Sequence, residues 1–215
     1  MSTENGPRAA DRGVALTFDD GPSSYTNQVL DILKRERIRA TFFVVGENID
    51  ERRADLRREI GEGNLVGNHT FTHIDTAGGG SEVAKQLTET SALIKRETDF
   101  TPCLFRPPGG TKTPQSTALI NRRGLKSIGW DVDTQDYTQP GSDSIVQTVL
   151  RDARPGSIVL MHDGGGPREQ TVAALPRTSH CRAAPEGVPL RHPRQAARRW
   201  RTLCVDLRLR LRDKA

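Results

Sequence analysis

The sequence predicts an α/β chain of repeated strand–helix units, with parallel strands and outer helices forming an open sheet or a barrel. Three observations predict it. Short apolar runs alternate with longer amphipathic stretches along residues 13–176. Polar, chemistry-bearing groups close one apolar run after another. The 215 residues suffice for one domain of ordinary core size.

"VALTF" is the first short strand. "SYTNQVLDILKRERI" follows as a helix with Val29, Leu30, Leu33 and Ile38 on its apolar stripe and Ser24 as its cap. "ATFFVVG" reads as a buried strand, and "DERRADLRREIGEG" as a charged helix whose thin apolar side is Ala54, Leu56 and Ile60. "NLVGNH" is a short strand. "SEVAKQLTETSALIKRET" is an amphipathic helix with Val83, Leu87, Leu93 and Ile94 on one face. "CLFRPPGG" is a strand running into a turn, and "TPQSTALINRRG" a helix closed by Gly124 just past its end. "LKSIGWDVD" reads as one strand, "SDSIVQTVLRDA" as a helix and "GSIVLMHD" as a last strand. Asp19 and Asp20, His69, Arg106, Asp131 to Asp136 and His162 all fall at carboxyl ends of these strands. In a barrel of parallel strands that end is the functional rim.

Composition excludes several classes. No stretch is long and apolar enough to span a bilayer, and "MSTENGPRAADRG" carries no hydrophobic export segment. Cys103, Cys181 and Cys204 lack metal-type spacing, leave an odd thiol and argue against a disulfide framework. The net charge of +5 is unevenly placed. Residues 1–176 hold 21 Lys/Arg against 24 Asp/Glu, a net of −3, whereas residues 177–215 hold 11 against 3, a net of +8.

The adjacent carboxylates in "TFDDGP" pose the chemical question, because neighbouring strand side chains point to opposite faces. At a strand end entering a Gly-Pro turn they can splay into one cleft. "NHTFTH" puts His69 and His73 four apart, so at helical or tight-loop spacing both imidazoles face one point. A carboxylate such as Asp20 would complete a His₂Asp site for a divalent metal, zinc first, with cobalt, nickel or manganese as alternatives. Asp19 is then free to act as a base. Arg106 in "FRPPGG" can hold that base ionised by a charge-assisted pair. The Pro107–Gly110 turn lets backbone N–H groups approach an oxyanion. His162 suits protonation of a leaving group, with Asp136 or Asp133 as the acidic neighbour that raises its pKa.

"TFDDGP", "NHTFTH", "FRPPGG", "DVDTQDY" and "VLMHD", in this order, resemble the five motifs of the polysaccharide deacetylase family, the NodB-homology domain of carbohydrate esterase family 4. The resemblance covers about residues 13–176. It implies a distorted, incomplete (β/α) barrel and metal-dependent removal of N-acetyl or O-acetyl groups from a glycan such as peptidoglycan, chitin oligomers or xylan. By position, Asp19 resembles the base, and Asp20, His69 and His73 the metal ligands. Arg106 resembles the residue orienting the base, Gly109 the oxyanion N–H donor and Asp136 the residue tuning the acid His162. Tyr137 and Leu160 would line the acetyl pocket. Tyr137 stands where the family usually has Trp, and Gly109 where many members have Tyr.

Past "QTVAALP" the resemblance stops, which implies a barrel lacking its usual last helix and strand. Residues 177–215 carry ten arginines with weak periodicity. A one-nucleotide shift of permitted codons for "EGVPLRH" yields Lys/Arg-Gly-Tyr-Arg-Phe-Val-Thr, similar to the family's terminal strand. This reads as a frameshift near residue 177, so the basic tail is an accident of reading frame and no nucleic-acid partner is expected. The alternative to an active hydrolase is a catalytically impaired glycan-binding domain. An acetylated glycan is the expected partner. The chain as written is expected to be cytoplasmic, although the family commonly acts on extracellular or cell-wall glycans.

Overall fold

The computed structural model describes residues 13–179. Seven strands, all paired in parallel, form one sheet in the order β5-β4-β3-β2-β1-β7-β6. They are β1 (Ala15–Asp19), β2 (Thr41–Val44), β3 (Leu65–Asn68), β4 (Leu104–Phe105), β5 (Lys126–Ser127), β6 (Val132–Asp133) and β7 (Ile158–His162). The helices are α1 (Thr26–Glu36), α2 (Gly46–Ile49), α3 (Arg53–Gly61), α4 (Gly80–Thr98), α5 (Pro114–Arg122), α6 (Ser142–Asp152) and α7 (Glu169–Thr178). The sheet's edges, β5 and β6, do not pair with each other, so the barrel is incomplete as the motifs implied.

The two faces of the sheet divide the labour. Leu16, Phe18, Phe42, Val44, Val66, Val159 and Met161 pack outward with Val29, Leu30, Leu33, Ile94, Val149 and Leu175 into the main core. Alternation sends the intervening residues the other way. Thr17 is level with Leu160, and Asp19 with both Phe43 and His162, so these side chains share the inner face. Gly67, level with Phe43, leaves the room that the Phe43 ring fills.

Four local expectations are corrected. "LKSIGWDVD" is not one strand: Lys126–Ser127 pairs with β4, and Val132–Asp133 pairs with β7 on the opposite edge. Residues 128–131 cross the gap between the edges, because one chain cannot pair with both while the barrel stays open. Ser24 is not the α1 cap; Tyr25 occupies that position without a side-chain cap, while the Ser23 N–H is bonded to Thr26 Oγ1. On α3, Ala54 is exposed; Leu56 is buried together with Asp55 and Glu59, so the inward stripe is displaced and partly acidic. Cys103 is disulfide-bonded, although the cysteine count and spacing argued against a disulfide framework.

Gly124 does follow α5 with φ 71°, the left-handed conformation that closes a helix. The arginine-rich segment and its suspected frameshift lie outside the described residues beyond Ser179. Among the described residues, no helix is long and apolar enough to cross a membrane.

Candidate active site

Asp19 ends β1 with its side chain buried on the inner face. Asp20 follows at φ 71°, a backbone turn that swings its carboxylate back toward the same cavity. The question of two adjacent carboxylates thus resolves in the turn rather than in the strand.

His69 lies just past β3, and His73 in the loop beyond it, where Thr70 (φ 67°) and His73 (φ 57°) adopt left-handed conformations. The H-x-x-x-H spacing is therefore a tight loop and not a helix. The two rings lie 5.0 Å apart between centroids. Asp20 Oδ1 is 3.4 Å from His69 Nε2 and 3.2 Å from His73 Nε2. One ligand atom from each of the three residues lies within 4.8 Å of the others.

The donor set fits a divalent cation on two further counts. Asp20 Oδ1 is buried with no hydrogen-bond partner, an arrangement that costs stability unless a cation completes it. His69 Nδ1 lies 2.7 Å from the Arg106 carbonyl, which fixes the tautomer with Nδ1–H donating and leaves the Nε2 lone pair free. Burial by itself would raise Asp20, yet its contacts with His69 and His73 hold the carboxyl well below the usual carboxylate range. The same contact with Asp20 raises His73.

Arg106 is fully buried. Its NH1 donates to Asp19 Oδ1 and to Thr17 Oγ1, both at 2.8 Å, and its NH2 donates to the Gly129 carbonyl at 3.0 Å. The guanidinium sits 4.3 Å above the centre of the Phe43 ring, with Trp130 at 5.6 Å. Burial lowers the Arg106 pKa, and the Asp19 charge opposes that loss. The contact with Gly129 joins the site to the chain that crosses the barrel gap.

His162 ends β7, and its Nδ1 lies 2.7 Å from Asp136 Oδ1. Asp136 Oδ2 accepts from the His162 backbone N–H at 2.8 Å and from Thr171 Oγ1 at 2.7 Å. Desolvation opposes the charged imidazole, but Asp136 outweighs it and the His162 pKa is raised. Asp136 is lowered because the His162 contacts outweigh its own burial. Of the two acidic candidates, Asp136 is the partner; Asp133 instead accepts from Tyr137 Oη at 3.3 Å and from the Gln135 N–H. The exposed Tyr137 ring meets His162 edge-on at 5.4 Å. Leu160 is buried on the inner face, level with Thr17. Gly109 lies in a short 3₁₀ turn after β4 with φ 64° and open space where a side chain would project.

Sequence reasoning missed five contributors. Thr17 could have been found from alternation, since it lies two residues before Asp19 on the same strand face. Trp130 packs on Gly110 and flanks Arg106, but reading its segment as a regular strand hid it. Phe43 looked like ordinary core. Gly164 and Gly165 press against the Asp20 backbone and carboxylate, where any Cβ would collide. Their cluster in "HDGGG" was the available signal.

Residues 6–128 match the family model described as "Polysaccharide deacetylase". The chain is 40% identical to a chitooligosaccharide deacetylase of Sinorhizobium fredii over 177 residues, covering 76% of this chain and 82% of that protein. It is 37% identical to a peptidoglycan-N-acetylglucosamine deacetylase of Bacillus cereus over 165 residues, covering 75% and 78%. Among solved structures, a family 4 carbohydrate esterase from Streptomyces lividans in complex with acetate superposes with a TM-score of 0.73 at 35% identity, covering 80% of this chain and 88% of that one. Fold, motif order and sequence agree: this chain belongs to the polysaccharide deacetylase family and is a hydrolase of that kind.

Proposed function

We propose that the chain removes N-acetyl groups from an N-acetylglucosamine-containing glycan, chitin oligomers or peptidoglycan, with a zinc ion held by Asp20, His69 and His73. The observation that carries this reading is the convergence of those three residues beside a second carboxylate, Asp19, that Arg106 holds in place. Relatives named chitooligosaccharide deacetylase and peptidoglycan-N-acetylglucosamine deacetylase support the substrate class. O-acetyl removal from a glycan such as xylan uses the same groups and is the variant with less support.

When bound, the ion would supply Lewis-acid polarisation and lower the cost of ionising water. Asp19, anchored through Oδ1 to Arg106, takes the proton as water adds to the amide carbon. The backbone N–H of Gly109, in the 3₁₀ turn after β4, would donate to the developing oxyanion. His162, its Nδ1–H held by Asp136, gives the proton from Nε2 to the departing amine. The C–O bond forms, the C–N bond breaks, and acetate and a free amine leave. Tyr137 and Leu160 enclose the acetyl methyl, one from the exposed rim and the other from the inner wall.

Acetate release from an N-acetylglucosamine oligomer tests the reading, run with and without added zinc or cobalt beside Asp19→Asn. Metal-dependent release that the variant loses supports it. Release that persists after chelation, or that survives Asp19→Asn, overturns it.

A further inference from the structure

The end of β7 carries one more carboxylate than the chemistry uses. Asp163 follows His162 directly and is fully buried. Its backbone N–H donates to the Asp19 carbonyl at 3.1 Å, just past the last paired residues of β1 and β7, Asp19 and His162. Its carbonyl accepts from the Ser23 hydroxyl, and its Oδ2 accepts from Thr26 Oγ1 at 2.5 Å. Thr26, itself fully buried at the start of α1, accepts in turn from the Ser23 N–H at 2.7 Å. The chain from Asp19 to Thr26 is therefore wrapped around this one residue. The wrap is tightest at Gly21, where the Asp163 carboxylate fills the space that a Cβ would need. In return, the Asp20 carbonyl fills the place of a Cβ on Gly164. The turn that bears Asp20 and the turn that leaves His162 are interlocked.

Stability alone does not call for a carboxylate here. Asp163 Oδ1 is buried with no hydrogen-bond partner, and an unsatisfied buried oxygen costs free energy. What the group supplies is position. Asp20 leaves strand geometry at φ 71°, and the carboxylate against Gly21 occupies the room into which that turn would relax. Among the described residues, no hydrogen bond joins the Asp163 side chain to Asp20, His69 or His73, so it acts through the turn.

We propose that Asp163 is a positioning residue of the metal site: it sets where the Asp20 carboxylate stands relative to His69, His73 and His162. The proposal rests on the reading of Asp20 as a metal ligand and is independent of which substrate is hydrolysed.

Cobalt is the probe, because its visible absorption reports the geometry of its ligands. The full chain is titrated with cobalt as wild type, Asp163→Ala, Asp163→Asn and Thr26→Val. Val149→Ala, a core substitution on α6, controls for lost stability alone. Asp163→Ala should lower cobalt affinity about ten- to a hundredfold, the scale of losing a group that orients a ligand, and should alter the spectrum. Asp163→Asn keeps the shape and the acceptor for Thr26, and should recover affinity to within a few-fold. Thr26→Val is nearly isosteric and unties the carboxylate, so its spectrum should move in the same direction as that of Asp163→Ala. Val149→Ala should lose stability yet keep the wild-type affinity and spectrum.

Wild-type affinity and spectrum in Asp163→Ala overturn the proposal, and Thr26→Val decides in the same way if Asp163→Ala does not fold. An Asp163→Asn variant no better than Asp163→Ala, or an equal loss in Val149→Ala, also overturns it. Cobalt binding that depends on Asp163, with no acetate released by the wild type, keeps the positioning role and overturns the deacetylase reading. A wild type that binds no cobalt overturns the metal-site reading and this proposal together.

Discussion

His69 donates from Nδ1 to the backbone carbonyl of Arg106, at 2.7 Å, while the side chain of that same arginine holds Asp19. One residue therefore orients a candidate metal ligand through its main chain and the candidate base through its guanidinium. The two functions separate on mutation. In Arg106→Met the carbonyl stays and the guanidinium goes. Acetate release is expected to fall at least about a hundredfold, the scale of a misdirected general base. Zinc affinity, read by titration, should change only a few-fold. A parallel collapse of metal binding would show that the arginine acts mainly by holding the site's shape.

Breaking that buried pair also leaves Asp19 desolvated and uncompensated. Arg106→Met should therefore cost about 3–5 kcal/mol of unfolding free energy, measured by denaturant titration. A double variant, Arg106→Met with Asp19→Asn, should recover part of that loss because the stranded charge is gone.

The pH profile reports on His162. Its folded pKa is raised, so the protonated form contributes stability below the unfolded pKa, and that contribution is lost as pH rises through the folded value. In the proposed mechanism the same titration removes the acid, and it should set the alkaline limb. Asp136→Asn takes away the charge that raises His162, and the limb should move to lower pH. A limb left in place would assign it to another group.

Glycines around the site differ in a way substitution can read. Gly165→Ala places a methyl group against the Asp20 carboxylate at φ 71°, and should weaken zinc binding as well as lower stability. Gly109→Ala meets open space at φ 64°, so only backbone strain of about 1 kcal/mol is expected. Thermal melts with and without zinc distinguish the two: the stabilisation by zinc should shrink in Gly165→Ala and persist in Gly109→Ala.

Glu59 is fully buried with both carboxylate oxygens unpartnered, and burial, with Asp163 and Asp55 nearby, raises its pKa well above the ordinary value. A carboxyl that binds its proton more tightly when folded lowers stability as pH rises past the unfolded pKa. Glu59→Leu should stabilise the chain by about 1–3 kcal/mol, the cost of an unsatisfied buried group. It should also flatten the decline of stability above the usual glutamate range. A destabilised variant would mean that Glu59 has a partner in solution.

Much of this molecule was legible because its chemistry is local. The motif residues sit at strand ends, and strand alternation with tight turns brings Asp19, Asp20, His69 and His73 together. The Asp136–His162 pair was legible for the same reason, except that Asp133 offered the same acid three residues earlier. What stayed hidden was non-local. The split of "LKSIGWDVD" between two sheet edges depends on where the barrel fails to close, which periodicity does not encode. Trp130 was hidden by that same misreading. The displaced stripe on α3, with Glu59 inside, contradicts the polarity rule on which the reading of that helix relied.

The gap in the barrel changes what each residue would reveal if the activity were abandoned. Arg106 ties the crossing segment at Gly129 to β1, so purifying selection on folding alone would keep it in a lineage with no substrate left. Asp20 is under the opposite pressure. Its unpartnered oxygen is a burden on an apoprotein, and drift would remove it early. Among diverged copies of this gene, the carboxylate at position 20 should mark the working enzymes, whereas the arginine at 106 should outlast the function.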